Sequence, residues 1–523
     1  MCIRDSIAIN LTMQRRGLPV AYVVTAGNQA QTGLAAIGEA LLQDPRVTAL
    51  GLHIEGIDDV AALEALAANA RDLGKPIVAL KVGASSHAQT ATVSHTASLA
   101  GSDAGASALL KRLGIGRVTS LSALLETLKL LHTLGPLASN KIASVSCSGG
   151  EASLMADSAL AHDLEFPPLT AIQTRDLRDA LGVHVALANP LDYHTFIWGD
   201  FDAMVAAFSG MMDPDLALGV IVLDFPRADR CDASDWDMVI DVVAAARDAR
   251  GVPMALLASL PDTMPEQAAQ AIMDRGLVPL AGLTEALEAI SVAAMLGNLP
   301  GPTSPVLQAM PVTGVTIVPE SEAKVALAQF GLTLPERRHV STVADAIEAA
   351  DDIGYPVVLK GEGAAHKTEA GLVRLNIACT DDLEAAFDAM PADGHLVEAM
   401  VPGGVAELLI GVTADPAHGF VLTLGAGGTL TELWKDSVSL MLPATQAEIV
   451  SALQSLRIAP LLSGYRGATG VDQEALVDAV LAVQNYVVAN GSRVVEVEVN
   501  PLICTTENAI AADALIRLGD PST

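Results

Sequence analysis

Aromatic side chains are scarce in this sequence. They make up 3% of its 523 residues, whereas hydrophobic residues as a whole make up 51%. The hydrophobic cores must therefore be built mainly from Ala, Val, Leu and Ile, a mixture that is typical of α/β domains. Because domains average roughly 150 residues, we expect a chain of this length to form three or four of them.

Basic residues are also few. The sequence has 30 Lys and Arg against 61 Asp and Glu, which gives a formal net charge of −31 at pH 7. A nucleic acid or an anionic membrane requires a basic protein surface, so this balance argues against both as partners. Any site that binds phosphate must therefore be a local group of residues rather than an extended basic surface.

Cysteine is rare and follows no metal-binding pattern. The sequence has five cysteines and no CxxC pair: Cys2, Cys147, Cys231, Cys379 and Cys504. An odd, scattered set indicates a reducing cytoplasm and no structural zinc site. No uninterrupted apolar run reaches about 18 residues and no signal-peptide pattern opens the chain, so we expect a cytoplasmic protein without a membrane partner.

The first half of the sequence alternates strand and helix patterns. A helix pattern runs to about Arg16, and strand patterns follow at PVAYVV (19–24), TALGLHIE (48–55) and KPIVALKVG (75–83). A similar series begins with NKIASVSCSGG at residue 140 and ends near Asn298. Such alternation predicts parallel sheets flanked by helices. We place the two domains at 1–137 and 138–300, with a Pro-rich linker at 299–305.

The remaining region, 306–523, has a different pattern. After the helix pattern ESEAKVALAQFGL (320–332), strand patterns follow one another with glycines between them, as in YPVVLKGEG and AGLVRLNIA. Strands in series with short Gly-containing connections predict an antiparallel sheet in an α+β domain.

Two segments have the composition of phosphate-binding sites. Ser148, Gly149 and Gly150 follow a strand and precede a helix, so that backbone N–H groups and the positive helix end would face an anion. The same turn is also an ordinary helix start with a capping Ser. Lys360 ends a strand and precedes the Gly-rich run GEGAAHKTEAG, where a cation and a flexible loop can meet nucleotide phosphates. A surface lysine on a hairpin is the alternative.

A third segment carries oxygen ligands. Glu498 and Asn500 lie in EVEVNPL, and Asp513 lies on the next predicted strand, AIAADAL. These side chains have the hard oxygen atoms that Mg²⁺ prefers, with phosphate oxygens completing the shell. An acidic strand edge is the alternative interpretation.

Two histidines occur in polar loop segments. His95 lies in SHTASLAGSD and His366 in AHKTEAG. A phosphate carrier needs an accessible imidazole with one nitrogen held by a partner and the other free to attack. Glu55, at the end of a strand pattern, is a candidate to orient His95. Either histidine taken singly could equally be a loop residue that makes one backbone hydrogen bond.

Together these motifs resemble the NDP-forming acyl-CoA synthetases, which include ADP-forming acetyl-CoA synthetase and are related to succinyl-CoA synthetase. The most specific segments are KVGASSHAQTATVSHTASLAGSD (81–103), VSCSGGEASLMAD (145–157) with NPLD (189–192), YPVVLKGEGAAHKTEAGLVRLNI (355–377) and VEVNPL (497–502). The resemblance covers essentially the whole chain. It implies an α/β protein with two flavodoxin-like parallel-sheet domains followed by an α+β ATP-grasp domain at 306–523.

The resemblance also implies roles for individual residues. His95 matches the phosphorylated histidine, Glu55 the carboxylate that steadies it, and His366 a second histidine that relays the phosphoryl group. The residues that match the nucleotide contacts of the ATP-grasp domain are Lys360, Glu398 and Glu407. The turn at Ser148, Gly149 and Gly150 would cradle phosphohistidine, and Glu498, Asn500 and Asp513 would form the metal-binding edge.

The implied reaction is reversible: a carboxylic acid, CoA and ATP exchange with acyl-CoA, ADP and phosphate through acyl phosphate and phosphohistidine. The implied cofactors and substrates are ATP or ADP, Mg²⁺, coenzyme A and a small carboxylic acid. We also expect a homo-oligomer, or a partner that supplies a CoA-binding domain.

The chain departs from the family at its start. The CoA-binding Rossmann-like domain is not found, nor is the strand and turn expected before the first helix. We therefore hypothesise that MCIRDS (1–6) marks a truncation, so that the chain is a fragment or one subunit that binds CoA weakly alone. Two alternatives stay open: the ligase-like part of a protein acetyltransferase, and a catalytically idle partner that senses CoA or nucleotide.

Overall fold

The computed structural model describes residues 3–27, 29, 31–85, 101–299, 301, 304–361, 371–390, 392, 394–428 and 435–521. The chain divides into two compact units. Unit 1 comprises Met1–Ala100 and Leu110–Thr303, and unit 2 comprises Gly101–Leu109 and Ser304–Thr523. The domain boundaries proposed at residues 137 and 300 stay predictions.

The first sheet of unit 1 is small and parallel. Its strands lie in the order β1-β2-β3, which are Leu50–Ile54, Ile77–Lys81 and Gly116–Val118. The first five helices are α1 (Ile3–Arg15), α2 (Leu34–Leu42), α3 (Val60–Asp72), α4 (Asp103–Leu113) and α5 (Leu121–Leu134). Side chains explain two of the helix starts, because Asp59 accepts a hydrogen bond from Ala62 N and Ser120 from Ala123 N.

The second sheet of unit 1 has five parallel strands in the order β5-β4-β6-β7-β8. These are β4 (Ile142–Ser146), β5 (Leu191–Asp192), β6 (Leu218–Val222), β7 (Met254–Ala258) and β8 (Val278–Ala281). Numbered from β4, this is the order 2-1-3-4-5 of flavodoxin-like sheets. The helices are α6 (Gly149–Ala159), α7 (Ala171–Leu181), α8 (Phe201–Met211), α9 (Ser234–Arg250), α10 (Glu266–Asp274) and α11 (Leu283–Gly297).

One predicted strand does not form. Residues 19–24, PVAYVV, are irregular, and Tyr22, Val23 and Val24 are 44–52% exposed. Within the described residues no strand hydrogen-bonds to this segment. The prediction from its β-branched run was wrong because a strand needs a neighbour as well as a pattern.

Unit 2 contains a four-stranded antiparallel sheet in the order β10-β13-β11-β12. Its strands are β10 (Arg337–Val340), β11 (Val357–Gly361), β12 (Val373–Ile377) and β13 (His395–Ala399). The helices α13 (Val343–Ile353) and α14 (Thr380–Asp388) contribute buried residues to the same small core.

The larger sheet of unit 2 is also antiparallel, in the order β16-β15-β14-β17-β19-β9, with β18 paired to β17. Its strands are β9 (Val312–Val318), β14 (Ala406–Asp415), β15 (Gly419–Ala426), β16 (Ser437–Met441), β17 (Val494–Cys504), β18 (Ala509–Ala511) and β19 (Ala514–Pro521). The remaining helices are α12 (Glu320–Ala328), α15 (Gln446–Ser455), α16 (Ala459–Ser463) and α17 (Gln473–Asn490). This sheet and α12, α15 and α17 share one aliphatic core.

The predicted fold class is confirmed: parallel α/β sheets come first and an antiparallel α+β region follows. One detail differs, since Asp513 lies between β18 and β19 rather than on a strand. None of the helices in the described part of the chain is long and apolar enough to cross a membrane.

Residues 101–109 belong to unit 2 through one well-defined contact. Ser102 donates both its backbone N–H and its hydroxyl to Asp415 Oδ2, each at 2.8 Å. Asp415, at the end of β14, also accepts Ala417 N with its other oxygen and lies 3.2 Å from the Nδ1 atom of the fully buried His418. The start of α4 is thereby held on the turn between β14 and β15.

Candidate functional site

The predicted nucleotide lysine is buried at the end of β11. All five residues of this strand are buried, and Lys360 is 6% exposed one residue before the strand ends. Its Nζ atom lies 2.9 Å from Glu320 Oε1 and 2.9 Å from Glu398 Oε2, and it donates to Ala512 O at 2.5 Å. Lys360 is therefore not the surface lysine of the alternative interpretation.

A second lysine shares the same partners. Lys324 Nζ lies 2.7 Å from Glu320 Oε1 and 2.6 Å from Glu398 Oε1, and it donates to Ala512 O at 2.6 Å. Lys324 is fully buried, and Glu320 and Glu398 are 5% and 2% exposed. We call Glu320, Lys324, Lys360 and Glu398 the lysine–glutamate cluster. It brings Lys360 and Glu398 together, as the family resemblance implied.

Sequence reasoning missed Glu320 and Lys324, although a signal is present. Glu320, Ala323, Lys324 and Leu327 have the spacing of the buried stripe of an amphipathic helix, and all four are buried on α12. Charged residues at core positions of a helix need buried partners. The spacing of these four residues therefore indicates an internal ion cluster.

The lysines differ in their electrostatics. Burial opposes the charge of Lys360, but the carboxylates of Glu320 and Glu398 outweigh it and raise its pKa. Burial lowers the pKa of Lys324, and the nearby charge of Lys360 lowers it further. The two lysines thus share their partners but have pKa shifts of opposite direction.

Glu407 and Asn500 meet at a glycine turn. Gly427 N donates to Glu407 O at 2.8 Å, and Gly428 N donates to Asn500 Oδ1 at 2.9 Å. Gly428 has a φ of 81°, and a Cβ atom there would collide with the Glu407 carboxylate. Only glycine allows this approach, which places the two predicted side chains on either side of one backbone turn.

The predicted metal ligands are neighbours at the edge of β17. Asn500 Nδ2 lies 3.4 Å from Glu498 Oε1, and Asn500 N donates to Asp513 O at 3.3 Å. Within the described ranges, no three His, Cys, Asp or Glu side chains form a group that could hold a metal ion. The set offers two carboxylates and one amide oxygen. These three oxygen ligands fit Mg²⁺, which is commonly held by one or two carboxylates with phosphate and water oxygens.

The turn after β4 begins a helix as predicted. β4 ends at Ser146 and α6 begins at Gly149, with Ser148 as its N-cap residue. The Ser148 side chain accepts a hydrogen bond from Gly150 N at 3.2 Å, and Ser146 Oγ donates to Ser148 O at 3.1 Å. The strand, turn and helix are confirmed, whereas a role in binding phosphate stays a prediction.

Acidic side chains lie beside this turn, a feature that sequence reasoning did not anticipate. A Cβ atom at Gly149 would lie 3.2 Å from Asp192 Oδ2. Burial raises the pKa of Glu151, and the carboxylates of Asp224 and Asp192 raise it further. An anion bound at the turn would meet these groups. Phosphate binding here therefore requires that a carboxyl be protonated or paired with a cation.

Glu55 lies at the predicted place, directly after β1. Lys81, the last residue of β2, donates to Glu55 O at 3.0 Å and to Val82 O at 2.6 Å. Because β1 and β2 are adjacent and parallel, their carboxyl ends meet at one edge of the sheet, where α/β proteins commonly bind ligands. The two predicted carrier histidines, His95 and His366, lie outside the described residues.

Comparison with known protein families matches two segments of the chain. Residues 6–131 match the family model of the succinyl-CoA ligase-like flavodoxin domain, and residues 310–518 match that of an ATP-grasp domain. The second match contains the lysine–glutamate cluster, Glu407 and the predicted metal ligands.

Several characterised proteins are similar over much of their length. A trans-feruloyl-CoA synthase from an unidentified prokaryote is 29% identical over 96% of this chain and 73% of that protein. An ADP-forming acetate–CoA ligase of Archaeoglobus fulgidus is 25% identical over 97% of this chain and 75% of that protein. The β subunit of an ADP-forming acetate–CoA ligase of Pyrococcus furiosus is 32% identical, covering 39% of this chain and 93% of the subunit.

The chain belongs to the ADP-forming acyl-CoA ligases, the family that its motifs resemble. Its flavodoxin-like and ATP-grasp domains occur in that order along the sequence. The predicted assignment to an enzyme family is confirmed.

Proposed function

We propose that this chain catalyses the reversible conversion of a small carboxylic acid, CoA and ATP into acyl-CoA, ADP and phosphate. The observation that carries the proposal is the buried Lys360, held by Glu320 and Glu398 immediately before the segment that contains His366. Two carboxylates that hold a cation beside a Gly-rich run provide a positive group for a polyanionic nucleotide.

The nucleotide binds, in this proposal, at Lys360, Glu398 and Glu407. The Lys360 ammonium group contacts phosphate oxygens, and the two glutamates accept hydrogen bonds from the rest of the nucleotide. Asn500, Asp513 and Glu498 would hold Mg²⁺, which supplies charge neutralisation between phosphate oxygens. In unit 2 the hydrogen bond from Gly428 to Asn500 orients the amide oxygen of the metal set.

The phosphoryl group is carried by histidine. His366 attacks the γ-phosphorus of ATP, so that an N–P bond forms, the bond to the β-phosphate oxygen breaks and ADP leaves. His95 takes the phosphoryl group in turn and transfers it to the acid to give acyl phosphate, which CoA converts to acyl-CoA with release of phosphate. Glu55 orients His95 in this scheme, and the turn at Ser148, Gly149 and Gly150 stabilises its phosphorylated form.

Acid, CoA and nucleotide are thus the proposed partners, with a second subunit or a second copy as a further one. A β subunit among the similar proteins shows that members of the family can be divided between chains. Four described cysteines are unpaired, and we keep the reducing cytoplasm as the proposed location.

The test is phosphorylation by γ-labelled ATP with Mg²⁺, followed by measurement of acid-labile, alkali-stable label. We expect label on the wild-type chain and none on His366→Ala. Lys360→Met should slow labelling by about 10- to 150-fold, because a charged hydrogen bond contributes about 1.5–3 kcal/mol. Lys141 is a partly buried lysine in unit 1. The Lys141→Met variant is the matched control and should become labelled at the normal rate.

Two outcomes would contradict the proposal. Label that survives His366→Ala unchanged would exclude His366 as the first acceptor. A wild-type chain that binds ATP but never becomes labelled would favour the regulatory alternative, in which the protein senses nucleotide without transferring phosphate.

A further inference from the structure

The lysine–glutamate cluster contains two buried lysines that have the same partners. Lys324 and Lys360 contact the same three acceptors, which are the carboxylates of Glu320 and Glu398 and the carbonyl oxygen of Ala512. Each ammonium group has three N–H donors, so each has a full set of partners. Two like charges with identical partners repel one another, so burying both lysines depends on the two glutamates that they share.

The two lysines are not equivalent in position. Lys324 lies within α12, and its side chain is fully buried, as are Ala323 and Leu327 of the same helix. Lys360 lies one residue before the end of β11, and its side chain retains 7% exposure. Lys360 is therefore the cation that can change partners, whereas the helix holds Lys324 in place.

The charge balance of the lysine–glutamate cluster changes when Lys360 leaves the glutamates for a phosphate. The cluster has two positive and two negative side chains. If Lys360 turns to a phosphate, Glu320 and Glu398 are left with one cation, and without Lys324 they would be left with none. Two uncompensated buried carboxylates beside a polyanion are strongly unfavourable. Lys360 would then stay paired with Glu320 and Glu398 and would not bind the phosphate.

We propose that Lys324 is a positioning residue for nucleotide binding: it neutralises Glu320 and Glu398 so that Lys360 can exchange them for phosphate. This inference rests on the proposed nucleotide site and adds a residue to it. It predicts that the charge balance of the cluster, more than the shape of Lys324, sets nucleotide affinity.

The experiment measures ADP and ATP binding by isothermal titration calorimetry, with Mg²⁺, for the full chain and three variants. Lys324→Met leaves both glutamates holding Lys360, and we expect affinity to fall by at least about tenfold. Glu320→Gln weakens the hold on Lys360 while keeping an acceptor, so affinity should rise. Lys324→Met combined with Glu320→Gln removes one charge of each sign and should restore affinity to within about threefold.

The outcomes separate this inference from the function on which it rests. Wild-type chain that binds no nucleotide would contradict the proposed function itself. Wild-type binding with an unchanged Lys324→Met variant, or a double variant as weak as Lys324→Met, would overturn the role of Lys324. Thermal unfolding of every variant shows whether weak binding reflects lost folding. If Lys324→Met does not fold, a large loss of affinity in Glu320→Gln would still overturn the proposal.

Discussion

The two units each bury a cluster of charged side chains, and the clusters differ in how their partners are shared. In unit 1, Glu126 is fully buried and each of its oxygens has its own cation. Arg16 lies 3.0 Å from Oε1, and the fully buried Lys129 lies 2.7 Å from Oε2. Glu126 Oε2 also accepts Ala281 N at 2.9 Å. One carboxylate thus joins the segment after α1, the helix α5 and the end of β8.

The cluster of unit 2 has a different arrangement. Lys324 and Lys360 compete for the same acceptors, and Lys360 ends a strand next to the segment that contains His366. In the unit 1 cluster each carboxylate oxygen has a single cation, whereas in the unit 2 cluster one lysine can leave while the other still contacts both glutamates. Under the proposed function, burial alone does not distinguish a structural ion cluster from one that binds a ligand, whereas the sharing of partners does.

The largest expected effect is a loss of stability when the charged cluster of unit 1 is disrupted. Glu126→Ala leaves Lys129 as an uncompensated buried charge and should lower the free energy of unfolding by about 3–5 kcal/mol. Urea unfolding followed by circular dichroism measures this loss. Glu126→Gln, which keeps an acceptor for Ala281 N, is the matched control and should lose less.

The same variant tests the contrast between the clusters. Because Glu126 is a structural residue in this view, the folded Glu126→Ala protein should bind ADP within about twofold of wild type. A loss of stability below about 1 kcal/mol, or a large loss of ADP affinity in the folded protein, would remove the distinction that we draw between the clusters.

A smaller effect is expected at the metal edge beside the unit 2 cluster. Asn500→Ala and Asp513→Asn each remove an oxygen ligand or its charge, and should raise the Mg²⁺ concentration for half-maximal labelling by at least about tenfold. A Mg²⁺ titration of the phosphorylation rate measures it.

The control for this experiment is Glu496→Gln. Glu496 lies on the same strand but is paired with Arg517 at 3.1 Å, outside the proposed ligand set. Its half-maximal Mg²⁺ concentration should be unchanged. Equal shifts in all three variants would indicate a general disturbance of this part of unit 2 rather than loss of metal coordination.

The smallest expected effect is a difference in reactivity among the cysteine thiols. Labelling of the thiols reports on each unit and leaves both charged clusters intact. Burial raises the pKa of Cys504 in unit 2 to about 12, and burial with the nearby Glu151 raises that of Cys147 in unit 1. Cys231 and Cys379 are exposed. Because the thiolate is the reactive form, Cys147 should react with a thiol reagent at pH 8 severalfold more slowly than the exposed pair, and Cys504 only after unfolding.

Peptide mapping after labelling identifies each thiol, with Cys2→Ser as the common background. In that background Glu126→Ala should expose Cys147 earlier in urea while Cys504 stays protected. Labelling of Cys504 in the native protein at the rate of Cys379 would contradict its burial in the core of unit 2.

Local sequence patterns determined much of this protein. Strand and helix alternation predicted the parallel sheets of unit 1, and serial strands with glycines predicted the antiparallel sheets of unit 2, because side-chain periodicity reflects the faces that must be buried. The strand β11 with Lys360 near its end, and the helix start at Ser148, also follow from neighbouring residues alone. Each of these motifs lies within one short stretch of sequence, so it can be recognised without knowing the fold.

Only the tertiary structure decided the features that depend on residues far apart in sequence. PVAYVV has a strand pattern, yet in the described part of the chain no strand pairs with it and it is irregular. Lys324 and Glu320 enter the site because α12 brings them against Lys360 on β11 and Glu398 on β13, and Asp192 and Asp224 approach the turn at Ser148 and Glu151 from separate strands. Pairing, burial and charge balance depend on three-dimensional neighbours, which a single sequence does not contain.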